Sequence, residues 1–176
     1  LNPEKNMNLK QIAAACAFAL CNLSTSFAQT PPATPAPPAR GPSLDLALEA
    51  AQAVIESCKA RDQRAAVSVV DSAGIVRVLL ATDGASPRGV SSSTSKAVTA
   101  LTFKAPTSQL AETIKTDKEL ADKIAANTNY NARAGGVLLM VNGEIIGAVG
   151  VGGARGSNVD EECGLVGVQK IQSRLR

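Results

Sequence analysis

Residues 135–167 read GGVLLMVNGEIIGAVGVGGARGSNVDEECGLVG, and the fold follows from this stretch. Val137–Val141 is a continuous apolar run of strand length. Asn142-Gly143 comes next, a dipeptide that supplies the two positive φ angles of a two-residue hairpin turn. Glu144–Val151 returns as a second strand rich in Ile and Val. Both strands are apolar on both faces, which predicts central strands with a covering layer on each side. Gly152-Gly153-Ala154-Arg155-Gly156 then frees the backbone to turn sharply. Ser157 stands three residues before Asp160, the spacing of a capping box with Asp in place of Glu. That spacing predicts a last helix from about Asn158 to Ser173.

The glycine loop is not a nucleotide fingerprint. No Lys follows a glycine, as a P-loop requires, and Arg155 stands where a dinucleotide fold needs its third glycine. A weaker anion site survives this test, built from Arg155, Gly156 and Ser157 at a helix start.

Working back along the chain, Ser43 or Asp45 caps a first helix with Leu44, Leu48, Ala51, Val54, Ile55 and Cys58 on its apolar face. Ala65–Asp71 and Ile75–Ala81 read as a hairpin turned by Ser72-Ala73-Gly74. Ser92–Lys104 reads as a helix stopped by Pro106, with Ala97, Val98, Leu101 and Thr102 inward. Two shorter helical pieces follow, one to Lys115 and one over Asp117–Ala126, and Asn127–Ala134 is polar loop. Two hairpins cannot bury their faces alone, so the order α-β-β-α-α-α-β-β-α predicts one antiparallel sheet with helices packed on it.

The N-terminus reads as an address. Residues 1–28 are a signal peptide with an upstream extension: Met7-Asn8-Leu9-Lys10, an apolar run over Ile12–Leu23, and Ser26-Phe27-Ala28 as a small-x-small cleavage site. Phe18 and Leu20 occupy positions where a lipoprotein has small residues, which argues against lipidation of Cys21. Residues 29–42 are a Pro/Ala linker, and 43–176 form the folded domain. The expected location is periplasmic or secreted, with no membrane span after cleavage. Cys58 and Cys163 are then the mature cysteines. A disulfide is possible in an oxidising compartment, but their place on different helices favours two small buried hydrophobes.

Composition narrows the chemistry. Hydrophobic residues make up 45% and aromatics 2%, so the core is built from Ala, Val, Leu and Ile. A net charge of +3 without a basic, aromatic-interleaved patch gives no reason to expect nucleic acid. No histidine exists, which removes the usual general base and the commonest zinc and haem ligand. Asp160-Glu161-Glu162 reads as favourable charge at a helix start, and Asp71 and Asp83 as turn formers. Lys96 reads as a solvated lysine facing Ser92. Arg88, Arg133 and Arg155 fall near predicted loops and would suit a small acid.

Three blocks carry a resemblance. They are Val69-Val70-Asp71-Ser72-Ala73-Gly74 with Asp83-Gly84-Ala85, the helical segment Lys96–Thr107 (KAVTALTFKAPT), and Gly135-Gly136-Val137 with 142–153 and Asp160–Cys163. Together they resemble the GlcG/HbpS family of haem-binding-like proteins, related to the C-terminal domain of PduO-type proteins. The resemblance implies an α/β (α+β) fold, a profilin-like α/β/α sandwich around a central five-stranded antiparallel sheet. The fifth strand is expected near Val90 or within Ala132–Gly135. The resemblance also implies a homo-oligomer, haem as cofactor, and a role in iron or redox handling. The ligand-binding candidates are Lys96, Thr99, Phe103, Tyr130, Arg133, Gly135, Gly136 and Met140, with a flat ligand between subunits near Phe103 and Tyr130. With no histidine, iron would fall to Tyr130, Met140, Lys96, a threonine or a cysteine. Ala51, Ala53, Ala97 and Ala100 are expected to let helices of neighbouring subunits approach. The alternatives are an enzyme acting on a small organic acid and a purely structural or accessory oligomer.

Overall fold

The computed structural model describes residues 38–176. Residues 1–28, read as a signal peptide, and residues 29–37 of the expected linker lie outside the described residues. The domain is built from α1 (Leu44–Ala60), β1 (Ala66–Asp71), β2 (Val76–Ala81), α2 (Pro87–Phe103), α3 (Thr107–Thr113), α4 (Lys118–Ala125), β3 (Gly136–Val141), β4 (Glu144–Gly152) and α5 (Ser157–Ile171). All pairings are antiparallel in the order β2-β1-β4-β3. The order of elements is the one expected. The sheet has four strands among the described residues, not five. Val90 lies inside α2, because Ser86 caps that helix and Pro87 opens it, and 132–135 carries no strand. β4 is central as expected, whereas β3 forms one edge of the sheet.

One face of the sheet carries α1 and α5, and their shared core holds Val67, Val69, Leu139, Val149 and Val151. α2 covers the other face through Ala97 and Ala100, which pack on Val70 and Ala148. Glycine makes that layer thin. A Cβ at Gly150 would collide with the Ser93 carbonyl, and one at Gly136 with the Lys96 carbonyl. The middle of α2 therefore lies directly on β3 and β4.

The buried face of α1 is rotated from the one expected. Leu44 and Leu48 are 59% and 40% exposed, while Ala47, Ala50, Ala51, Val54 and Cys58 are fully buried. The cause is the crossing with α5, where a Cβ on Gly167 would lie 2.7 Å from the Ala50 carbonyl oxygen. Such close helices admit only small side chains. Ala51, Ala97 and Ala100 thus serve this domain's own core and present no surface to a second copy.

Cys58 and Cys163 form a disulfide, with Cα atoms 5.6 Å apart, and are not two free hydrophobes. The α1–α5 crossing brings together residues that sequence separation says nothing about. The capping box is also corrected. Ser157 is the first helical residue, Gly156 is the cap, and the Asp160 side chain is committed elsewhere. Asp71 does form its turn, accepting from the Ala73 and Ile75 N–H groups at 3.0 Å.

Asn142 and Gly143 turn the β3–β4 hairpin at φ 50° and 84°. No atom lies within 4 Å of a Cβ built on Gly143. Gly143→Val should therefore act through backbone strain alone, at about 1–2 kcal/mol. Thermal melting checks this, and a variant that melts with the wild type would refute the turn assignment.

Candidate functional site

Three segments converge at the end of the sheet where β4 stops and β3 starts: the first half of α2, the loop before β3, and the glycine loop into α5. They enclose a cleft of about 500 Å³. That is an ordinary size for a small-molecule site. Arg88, Ser92 and Ser95 reach it from α2, and Tyr130, Asn131 and Arg133 from the loop. Arg155, Gly156 and Ser157 line its third side, and Lys96 with Asp160 lie at its floor.

The loop is held by its own polar side chains. The Asn131 backbone N–H donates to Thr99 Oγ1 at 2.7 Å, and its side-chain amide donates to Ser92 Oγ at 2.9 Å. Gly136 N–H donates to Thr107 Oγ1 at 2.7 Å, and Gly135 N–H donates to Glu161 Oε2 at 3.2 Å. The glycine loop is pinned by Ala154 N–H to Asp160 Oδ1 and by Arg155 N–H to Gln63 Oε1, both at 2.9 Å.

Lys96 is not solvated. Its side chain is 2% exposed, and its Nζ donates to Asp160 Oδ2 at 2.6 Å, with Asp160 5% exposed. The thin layer beneath α2 carries the lysine inward: a Cβ on Gly135 would lie 2.8 Å from Nζ. Burial pushes the Lys96 ammonium below its ordinary value, against the hydrogen bond and charge of Asp160 that hold it up. Burial likewise pushes the Asp160 carboxyl up, against Lys96 and the Ala154 N–H. The two proton affinities have moved toward each other.

The cleft is cationic. Arg88, Arg133, Arg155 and Lys96 line it with Asp160 as the sole carboxylate, and Asp160 is taken by Lys96. None of the three guanidinium groups has a carboxylate partner among the described residues. The acidic trio disperses instead of forming a metal or acid/base centre. Glu161 accepts from Ser108 and Gly135, and Glu162 faces Arg61 at 3.8 Å.

The sequence candidates thus sort into two groups. Lys96, Tyr130 and Arg133 line one cleft with Arg155, Gly156 and Ser157, which brings candidates from both expected groups together. Thr99, Gly135 and Gly136 position its walls from behind. Phe103 packs edge-on against Tyr130 at 5.2 Å, in a small cluster with Leu110, Ile124 and Ala132. Met140 is 38% exposed near the opposite end of β3, where its carbonyl accepts from Gln172. It does not line the cleft. Sequence reasoning missed Asn131, Ser92 and the pairing role of Asp160.

A second groove of about 380 Å³ adjoins the cleft. It is apolar, with Ala111, Ile114, Ala121 and Ile124 on its walls, and it shares Tyr130, Asn131 and Arg133 with the cationic cleft.

Four antiparallel strands between helical layers, with a cationic cleft at one sheet end, define a mixed α/β domain. Residues 43–169 match the family described as haem degrading protein HbpS-like, and the chain belongs to that family. A crystal structure of HbpS is 30% identical, covering 81% of this chain and 96% of that one, with a TM-score of 0.69. A PduOC–haem complex is 21% identical, covers 74% and 95%, and has a TM-score of 0.69. Protein ORFY of Klebsiella pneumoniae is 23% identical, covers 81% and 98%, and has a TM-score of 0.72. These last two show the shared fold. No curated protein matches the chain.

Proposed function

We propose that this chain is an exported haem-binding, or haem-related small-ligand-binding, protein of the HbpS type, working as a homo-oligomer in iron or redox handling. The observation that carries the reading is the junction at Tyr130–Arg133, where a cationic cleft meets an apolar groove. A flat apolar molecule with anionic arms matches both halves. Family membership favours haem among such molecules.

The donor set fits haem in a limited way. The sulfur donors among the described residues are out of reach, since Cys58 and Cys163 are bonded to each other and Met140 lies outside the cleft. Lys96 is held by Asp160. Among the described residues Tyr130 and Thr128 are the remaining candidates lining the cleft, and tyrosine ligates haem iron in catalase. Arg88, Arg133 and Arg155 would hold the propionates, and the groove beside Ile114 and Ile124 would cover part of the ring. Bound haem would supply redox-active iron. The chain's own part is to orient the ring, neutralise the propionates and keep water from one side. Export follows from the N-terminal address read in the sequence. No helix among the described residues is long and apolar enough to cross a membrane.

Haemin titration tests the reading. A saturable change of the haem absorption band is expected, and Tyr130→Phe should alter the band position while the protein stays folded. Absence of saturation with micromolar protein would remove haem as the ligand.

A further inference from the structure

We propose that Lys96 is a nucleophilic amine that captures the carbonyl of a small α-oxo acid as an imine at the floor of the cleft. The proposal rests on reading the cleft as the ligand site, but it does not depend on haem. The Lys96–Asp160 pair is nearly inaccessible through the protein, yet both its members line the cleft. Gly135 lets the loop before β3 pack directly against the pair, since a Cβ there would lie 2.8 Å from Nζ and 2.9 Å from the Asp160 Cβ.

The surroundings of the amine select the acid. Arg133 lines the same cleft as Lys96 and Asp160, and it has no carboxylate partner among the described residues. Glu161 also acts on Lys96, but its two oxygens are held by Ser108 and Gly135. An acid held by its carboxylate on Arg133 turns the adjacent carbon toward Nζ. If that carbon is a carbonyl, the molecule is an α-oxo acid. Arg88 and Arg155 leave room and charge for a second carboxylate.

The step balances without an outside oxidant or reductant. A proton moves from Nζ to Asp160 Oδ2, which burial already favours on both sides of the bond. The freed lone pair forms a C–N bond, and the carbonyl π electrons pass to oxygen, which takes the proton from Asp160. Asp160 then removes a proton from nitrogen and returns it to the hydroxyl. The C–O bond breaks, water leaves, and the C=N bond forms. The product is a protonated imine facing the Asp160 carboxylate.

The test treats the full chain with pyruvate or α-ketoglutarate and cyanoborohydride, followed by intact mass and peptide mapping. A single saturable adduct on the Lys96 peptide is expected. Lys118→Met, an exposed lysine outside the cleft, should leave labelling unchanged. Arg133→Ala should slow it about tenfold, the scale of losing one hydrogen bond to a charged group. Mapping of the wild-type protein decides the matter even if Lys96→Met fails to fold. Adducts scattered over exposed lysines with Lys96 unmodified would overturn the proposal. A thermal-shift titration with succinate, a dianion without a carbonyl, separates the two readings. Stabilisation by succinate without a Lys96 adduct overturns the imine alone. No stabilisation and no adduct overturns both the imine and the anion-binding cleft.

Discussion

Asp160→Asn is expected to cost the domain about 3–5 kcal/mol, the scale for removing one charge from a buried, hydrogen-bonded pair. The substitution keeps the shape and the acceptor for the Ala154 N–H, but it leaves the Lys96 ammonium buried without its counter-charge. The pH dependence has a defined sign. Burial already holds the folded-state value of Lys96 below its ordinary one, and Asp160 supplies the two largest effects opposing that shift. Without Asp160 the folded value falls further below the unfolded one. Between those two values the unfolded chain binds more protons, so the variant should gain stability as pH rises toward the ordinary lysine value. Urea unfolding of both proteins from neutral to alkaline pH reads this. Coincident midpoints at neutral pH would contradict the burial of the pair.

Reduction of the Cys58–Cys163 disulfide should cost about 2–5 kcal/mol, the usual range for a native bridge. The bridge closes 105 residues of chain and ties α1 to α5 across the core. Much of its effect comes from restricting the unfolded chain, which is greater for longer loops. Cys163 is also one helical turn beyond Asp160, so the bridge anchors the helix that carries the floor of the cleft. Melting with and without reductant should give a clear drop in Tm. A Cys58→Ser, Cys163→Ser double variant should melt like the reduced protein and ignore reductant. Free thiols at Cys58 and Cys163 in the purified protein, or identical melts, would contradict the bridge.

Local signals were legible in the sequence and long-range ones were not. Asn142-Gly143 and the apolar runs beside it marked the β3–β4 hairpin, because a two-residue turn is set by its own dihedrals. The face of α1 was misread because large side chains were weighted over small ones. The helix crossing at Gly167 rewards Ala50 and leaves Leu44 outside. Lys96 looked solvated because its partner is 64 residues away, and nothing local announces a buried ion pair. A single charged residue, Lys96, within the otherwise uncharged helical run Gly89–Phe103 was the signal that could have found it. Arg88, Arg133 and Arg155 were each visible near loops, but only the sheet topology brings them to one cleft. Met140 lies apart from the cleft for a similar reason: it shares β3 with Gly136 but sits toward the other end of the strand.

The most direct test of the cationic cleft is haemin binding to a folded Arg88→Ala, Arg133→Ala, Arg155→Ala triple variant beside the wild type. Each guanidinium–carboxylate contact is worth about 1.5–3 kcal/mol. The three substitutions together should therefore weaken binding by at least a hundredfold, with the melting temperature little changed, since none of the three makes an ion pair among the described residues. A triple variant that binds haemin as tightly as the wild type would place the ligand elsewhere on the protein.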